Sequence, residues 1–437
     1  MPFDIILGRD SSDKLKFGAS GLINIGKSYV KMGQQTSLSN QILLDIARSH
    51  VILIAGKRGS GKSYSLSVIA ESLSDLPSKE ASNIASLIFD TMGIFWTMKY
   101  KNEKDSLLLK QWNLKPKELP VKVFVPLGKA RDYEEKGIPF DETFALSPSE
   151  LEAEDWISIF NLSYNSLEGV LISQIISSLK NSSKNFTIKD IQKQISLETK
   201  TLHETKIIIS SLLESALSWG IFSHEEKNST KVSDLINPGK TTILDISVYS
   251  STSAFNIRAL VISLISRKIF QSRLDSRKKE EISSIQRGYQ NISAQATSDS
   301  PLVWLFIDEA HEFLQKTGNT PATSALLQIL REGRQPGISL VLATQQPGQI
   351  HHDVMTQSDI VISHKVTSKQ DIYALNEIMQ SYLLEDIQKS LNDLPSQKGS
   401  AILLDDNSER LYPIQIRPKF TWHGGEAPTA VASRLQI

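Results

Sequence analysis

Short apolar, β-branched runs recur along the chain and alternate with stretches of helical spacing. VILIA at 51–55, SLIFD at 86–90, VKVFV at 121–125, TTILDIS at 241–247, VWLFID at 303–308, ISLVLAT at 338–344 and DIVISH at 359–364 are nearly unbroken in hydrophobicity. A strand with one wet face alternates in polarity, whereas a strand covered on both faces does not. Runs of the second kind separated by helices form a parallel sheet between helical layers. The pattern therefore predicts an α/β fold with a mainly parallel sheet.

Three regions depart from this rhythm. Residues 1–49 carry short strand-like pieces, FDIILGR and GLINIGKSYVKM, punctuated by glycines, which predicts a small N-terminal β element packed before the main sheet. Within 149–227, Leu167, Val170, Leu171, Ile175 and Leu179 fall at helical spacing, as do Ile208, Ile209, Leu212, Leu213 and Leu217. Thr187 followed by Asp190 supplies an N-cap with an acid at the third helical position, opening a helix that carries Ile191 and Ile195. This insertion reads either as a winged-helix-like DNA reader or as a plain helical subdomain on the sheet, and the pattern favours the second. The stretch 271–300 is charged and then polar, and reads as a long exposed connection. The segment after Phe420, TWHGGEAPTAVASRLQI, is too poor in apolar residues to fold alone and reads as a frayed end or a lace onto a neighbouring subunit. The divisions are thus 1–49, a first core part 50–148, a helical insertion 149–235, a second core part 236–420 and a tail 421–437.

Composition narrows the function classes. The 437 residues are 40% apolar, enough for a well-buried core, and 48 basic residues balance 48 acidic ones. With a formal charge of zero, any grip on a polyanion must be local or pooled between subunits. The absence of cysteine excludes disulfides, thiolate metal sites and cysteine nucleophiles. The N-terminus, MPFDIILGRD, lacks a basic region followed by a long apolar one, and runs such as LVWLFI fall far short of a membrane span. The expectation is a cytoplasmic protein without membrane attachment.

Gly56-Lys57-Arg58-Gly59-Ser60-Gly61-Lys62-Ser63, with Tyr64 beside it, matches G-x-x-x-x-G-K-[ST] in full, after a strand and before a helical pattern. Glycines let successive backbone N–H groups turn inward around phosphate oxygens, the following helix N-terminus favours negative charge, and Lys62 adds a full positive charge at the β/γ position. Ser63 has the hydroxyl to bind magnesium. Nucleotide binding is the function this stretch predicts.

A phosphate loop alone does not place a water for attack. PLVWLFIDEAHEFL supplies carboxylates: Asp308 ends an apolar strand, from where it reaches magnesium, and Glu309 is next to it to polarise the water. The letters DEAH also name a box of two-lobed helicases, but there the box lies closer to the phosphate loop and is followed by a Ser-Ala-Thr motif and a second lobe. Neither follows here, so His311 reads as an incidental helix residue. The next strand ends in Thr344, Gln345 and Gln346, and Gln345 is the candidate sensor of the γ-phosphate. Arg334, in the turn before that strand, reads either as a helix C-cap charge or as a finger completing a neighbouring subunit's site.

The set AGKRGSGKS, FIDEAHEFL, REGRQPGISLVLATQQPG and DIVISHKVTSKQD, with FDTMGIFW after the second strand, resembles the HerA branch of the HerA–FtsK superfamily over about residues 50 to 420. Gln346 stands where FtsK-type proteins have arginine. The resemblance implies a recombinase-like P-loop core, a homo-hexameric ring with ATP at each subunit boundary, magnesium-dependent hydrolysis and double-stranded DNA drawn through a basic pore. It assigns Lys62 and Ser63 to phosphate and metal, Asp308 to the metal, Glu309 to the catalytic base, Gln345 to the sensor and Arg334 to the trans finger. Asp90 and Gly93 match a common pair without an assigned role. The segment before the phosphate loop is short for the barrel with which such proteins dock a partner nuclease.

Candidates for DNA contact are Lys99 and Lys101 flanking Tyr100, and the cluster Arg273, Arg277, Lys278 and Lys279; solvated surface charge is the plainer reading of each. Three functions fit these features: a DNA translocase or helicase, working with a nuclease at DNA ends; a nucleotide-bound ring that organises and gates an effector subunit in antiviral defence; and a conjugation or secretion ATPase.

Overall fold

The computed structural model describes residues 4–32, 35–182, 185–223, 228–251, 255–289, 300–378, 391, 393–395 and 397–425. Among these, thirteen strands join one sheet. In chain order they are β1 (Ile5–Leu7), β2 (Leu22–Met32), β3 (Gln35–Asp45), β4 (Val51–Ala55), β5 (Ile84–Asp90), β6 (Lys122–Pro126), β7 (Glu142–Phe144), β8 (Thr241–Asp245), β9 (Leu302–Ile307), β10 (Ile338–Thr344), β11 (Ile360–His364), β12 (Ser400–Asp405) and β13 (Arg410–Ile416). In space they run β1-β3-β2-β13-β12-β11-β4-β10-β9-β5-β8-β6-β7. Every neighbouring pair from β11 to β7 is parallel, so the fold is α/β with a large, mainly parallel sheet.

Successive residues explain why these strands read as unbroken apolar runs. Leu53 and Ala55 of β4 enter the core on one face, and Ile52 and Ile54 enter the core on the other. Trp304 and Phe306 of β9 likewise oppose Val303, Leu305 and Ile307. The first face is covered by the helices Ala153–Ile159, Leu167–Ser182, Ile188–Leu197 and His203–Ser218 together with Phe255–Tyr289 and Thr323–Glu332. The second is covered by the helix Lys62–Ser74, which follows the phosphate loop. The insertion is therefore a helical layer sharing the sheet's core; its helix Ile188–Leu197 opens with the Thr187–Asp190 capping box.

The N-terminal β element is continuous with the main sheet. β2 pairs with β13 through Ile414↔Ser28 and Ile416↔Gly26, and a buried ion cluster fixes the junction. Arg9 Nε lies 2.6 Å from Asp45, and His50 bridges Asp45 at 3.2 Å and Asp359 at 2.6 Å. Against its burial, those two carboxylates raise the His50 pKa to about 9.

The expected long connection at 271–300 is corrected. To Tyr289 it is the second half of a 35-residue helix, Phe255–Tyr289; residues 290–299 lie outside the described set. Its first half is buried through Ala259, Leu260, Val261, Ile262, Ile265 and Ile269. The charged continuation holds no proline and is rich in Arg, Lys, Glu and Gln, good helix formers that propagate an existing helix once packing has nucleated it. Polarity there marks an exposed helix face.

The end of the second core part and the first residue of the tail pack on their own chain. Arg417 donates from Nη1 to Glu71 at 2.6 Å, from Nη2 to Ser72 Oγ at 2.7 Å and from Nε to the Asn24 carbonyl at 2.9 Å. Glu71, on the phosphate-loop helix, also accepts the Phe420 and Thr421 backbone N–H groups and the Thr421 hydroxyl. Residues 426–437 of the tail lie outside the described set. Both Glu71 and Arg417 are essentially buried, so removing one partner strands the other charge in a dry environment. Arg417→Met should lower the unfolding free energy by about 3–5 kcal/mol, read by urea unfolding. The double variant Arg417→Met/Glu71→Gln should recover part of that loss; a change near zero for the single variant would show that the strap does not hold the helix.

Candidate nucleotide site

The three central strands β4, β10 and β9 end on one edge of the sheet, and their polar ends meet there. β10 lies between β4 and β9, with Thr344 paired to Ala55 and Leu342 to Ile307. The phosphate loop leaves β4 and turns into the helix Lys62–Ser74. Its start is tied to both neighbouring strands, Gly56 N–H donating to the Thr344 carbonyl and Lys57 N–H to the Lys365 carbonyl. Gly56 is required by contact, since a Cβ there would fall 2.7 Å from His364 Cβ. Gly61, with φ of +113°, is required by conformation. Lys62 is buried, and its Nζ rests 3.3 Å from the Lys57 carbonyl inside the loop. Burial lowers its pKa, while the Glu309 and Asp308 charges oppose the shift.

Asp308 follows β9 and is 1% exposed. One carboxylate oxygen accepts the Glu309 N–H at 2.9 Å, while Oδ2 has no protein partner. Burial raises its pKa, opposed by the Ser63 hydroxyl and Lys62. A buried, unpaired carboxylate oxygen beside a serine hydroxyl and a lysine fits a hard divalent cation with oxygen ligands. Among the described residues no group of three or more His, Cys, Asp or Glu could hold a metal alone, so such a cation would share its coordination with phosphate and water.

Glu309 adopts φ +51°, ψ +42°, a left-handed conformation that costs a non-glycine residue about 1–2 kcal/mol. It opens the short turn Ala310–Glu312 that follows β9. Burial and the neighbouring Asp308 raise its pKa to about 7, with Lys62 opposing and Glu312 reinforcing. A carboxylate tuned near neutrality is suited to taking a proton from water.

The reading of His311 as incidental is corrected. Its Nδ1 lies 3.3 Å from Thr344 Oγ1, a bridge from the acidic turn to the end of β10, while Glu309 Oε2, 3.5 Å away, makes no hydrogen bond. Burial and the Lys62 charge push its pKa down to about 4, so the bridge is a neutral imidazole. His364, fully buried at the end of β11, is a second histidine the sequence pattern did not single out. Its Nδ1 faces the Ser400 carbonyl at 3.0 Å, which can only accept, so Nε2 is left to accept from Ser65 Oγ at 2.8 Å. It supports the phosphate loop from below. Glu312 pairs with Arg258 at 3.1 Å and borders a cavity of about 470 Å³ with His311 and Gln346.

Gln345 directly follows β10, the strand that lies between β4 and β9, and is half-buried. Tyr64 turns away from the phosphate side: its hydroxyl takes the Lys419 N–H at 2.7 Å, and its ring meets His423 edge-on. Asp90, at the end of β5, accepts the Met92, Gly93 and Phe95 N–H groups and so shapes the following turn; it faces Asp245 across the ladder. Arg334 is elsewhere. It is exposed in the turn before β10, at the opposite edge of the sheet, so the seven residues of that strand, roughly 23 Å, separate it from its own phosphate loop. Lys99 pairs with Asp141 at 2.6 Å, while Tyr100 and Lys101 are exposed. Arg277, Lys278 and Lys279 are exposed on the long helix, with Arg277 near Arg334, whereas Arg273 of the same cluster is buried and is corrected from a candidate DNA contact to an internal one.

Residues 23–269 match the family model described as helicase HerA, central domain. The DNA double-strand break repair helicase HerA of Sulfurisphaera tokodaii is 25% identical over 393 residues, spanning 88% of this chain and 67% of that protein. The Pyrococcus furiosus protein of the same description is 23% identical over 184 residues, 39% of this chain and 31% of its own length. Among solved structures, VirB4 of Thermoanaerobacter pseudethanolicus has a TM-score of 0.56 at 11% identity, covering 92% of this chain and 98% of that one. The bacterial conjugative coupling protein TrwBdeltaN70 has a TM-score of 0.52 at 11% identity, covering 94% and 98%. At such identity the last two show a shared fold. No helix among the described residues is long and apolar enough to cross a membrane.

The environment of Glu309 gives a pH dependence with a defined sign. A base must be ionised to act, so kcat/KM for nucleotide hydrolysis should rise with pH through a midpoint near 7. Glu312→Gln removes a charge that holds protons on Glu309 and frees Arg258, so the midpoint should move to lower pH. A profile flat from about pH 6 to about pH 8 would rule Glu309 out as the titrating base.

Proposed function

The chain belongs to the HerA helicase central-domain family, and on that premise we propose that it is an ATP-dependent motor that acts on double-stranded DNA as a homo-hexameric ring. The reaction is hydrolysis of ATP to ADP and phosphate. Backbone N–H groups of the phosphate loop beyond Gly56 and Lys57, whose own N–H groups bond Thr344 and Lys365, hold the phosphates together with Lys62. Ser63 and Asp308 would hold Mg²⁺, which supplies neutralisation of charge on the β- and γ-phosphates. Glu309 accepts the proton of the attacking water, and Gln345 donates toward the γ-phosphate from the strand between the two motifs.

The observation that carries this reading is the position of Arg334. It is exposed at the sheet edge opposite its own phosphate loop, which suits a cation offered to an adjacent subunit. Negative charge spread over the transferred phosphoryl group is stabilised by such an arginine by about a thousandfold or more in rate. With no net charge, grip on DNA depends on phosphate contacts pooled around a ring and falls with salt. The relatives are described as double-strand break repair helicases, and for a motor at DNA ends the partner class is a nuclease or other effector subunit that processes those ends.

Turnover measured with and without duplex DNA at low salt tests the proposal. Lys62→Ala should abolish nucleotide binding. Glu309→Gln should retain binding and lose turnover. Arg334→Ala should retain binding and assembly while turnover falls by about a thousandfold. Full turnover by an isolated monomer would overturn the shared site, and an assembled ring indifferent to DNA would shift the reading to a nucleotide-gated platform for an effector.

A further inference from the structure

The long helix Phe255–Tyr289 touches both edges of the sheet. Near its start, Phe255 stacks on Phe313 at 5.7 Å between ring centres, and Arg258 pairs with Glu312 at 3.1 Å. Both partners lie within four residues of Glu309. Fifteen residues further along, roughly 22 Å of helix, Arg273 reaches the opposite edge. It is 2% exposed. Its Nε donates to the Pro336 carbonyl at 2.8 Å and its Nη1 to the Ser300 carbonyl at 2.8 Å, with Glu280 at 3.5 Å. Pro336 belongs to the turn that carries Arg334, and Gly337 in that turn has φ of +84°, with Leu302 and Arg273 filling the space a side chain would take. Arg334, Arg273, Arg277 and Arg48 line one cavity of about 370 Å³.

We infer that Arg273 is a positioning residue for Arg334: by bonding Pro336 and Ser300 it fixes the turn that presents Arg334 to the neighbouring subunit's nucleotide. The inference rests on the shared-site reading above and adds a residue to it. A planar guanidinium with donors in a fixed fork can hold two carbonyls at a set separation, which a lysine ammonium cannot do with the same directionality. The unbroken helix through Arg258 and Arg273 also ties the finger turn to the acidic turn of its own subunit, so the two ends of the sheet are joined by one rigid element.

The experiment mixes full-length variants. Arg273→Ala and Arg273→Lys should each lower kcat at least tenfold with the KM for ATP and binding of a fluorescent ADP unchanged. Arg273→Lys keeps the buried charge and carries the test if Arg273→Ala fails to fold. Equal mixing of either with Lys62→Ala should restore turnover, because seams pairing the intact phosphate loop of one variant with the intact finger turn of the other are complete. Random mixing makes about a quarter of the seams so. Arg334→Ala mixed with Lys62→Ala is the control. Rescue in the control without rescue for Arg273 overturns the inference and leaves the shared site standing, and so does wild-type kcat in Arg273→Lys. Failure of both mixtures overturns the shared site itself.

Discussion

The parallel register of β4, β10 and β9 is the constraint from which the site follows. Val51–Ala55 run level with Leu340–Thr344, and Ile338–Leu342 run level with Val303–Ile307. A parallel ladder keeps all strand ends of one polarity on one edge. The phosphate loop, the Thr344–Gln345 strand end and the Asp308–Glu309 turn therefore converge without any loop having to travel. The same register sends the starts of these strands, and with them Arg334, to the far edge. One hydrogen-bond pattern thus both assembles a nucleotide pocket and separates it from the arginine that would complete it.

Convergence at a buried edge has an electrostatic consequence. Asp308, Glu309 and Lys62 lie close together where water is scarce, and burial disfavours every charged form while the opposite charges partly compensate. The unmatched Oδ2 of Asp308 and the left-handed backbone of Glu309 are local departures from comfort, of the kind that concentrates where ligands act. Two neutral histidines stabilise this arrangement from different sides. His311 joins the acidic turn to β10, and His364 joins the phosphate-loop helix to β12 through Ser65 and Ser400. Each is neutral because it is buried near a lysine, so neither adds charge to the pocket.

Two elements keep the edges in fixed relation. The strap at 417–421 clamps the phosphate-loop helix through Glu71, and the helix Phe255–Tyr289 spans the sheet from Glu312 to Pro336. Neither was legible in the sequence as such. The second half of the helix carries a charged face, which by composition alone is indistinguishable from a solvated connection. The strap straddles the boundary drawn after Phe420, and the groups that anchor it lie about 350 positions away in the chain.

What the sequence determined by itself is whatever depends on contiguous residues. The α/β layering followed from unbroken apolar runs, the phosphate loop from eight consecutive residues, and the carboxylates from an apolar run that leads directly into Asp308 and Glu309. The tertiary structure alone decided which distant groups meet: His311 with Thr344, His364 with Ser65, Arg273 with Pro336, and Arg334 with the edge that faces away from its own pocket. The reason is physical. Local sequence sets backbone conformation and burial through neighbours a few residues apart, whereas a polar contact between remote segments depends on strand order and register. Those are settled only when the whole sheet closes its hydrogen bonds.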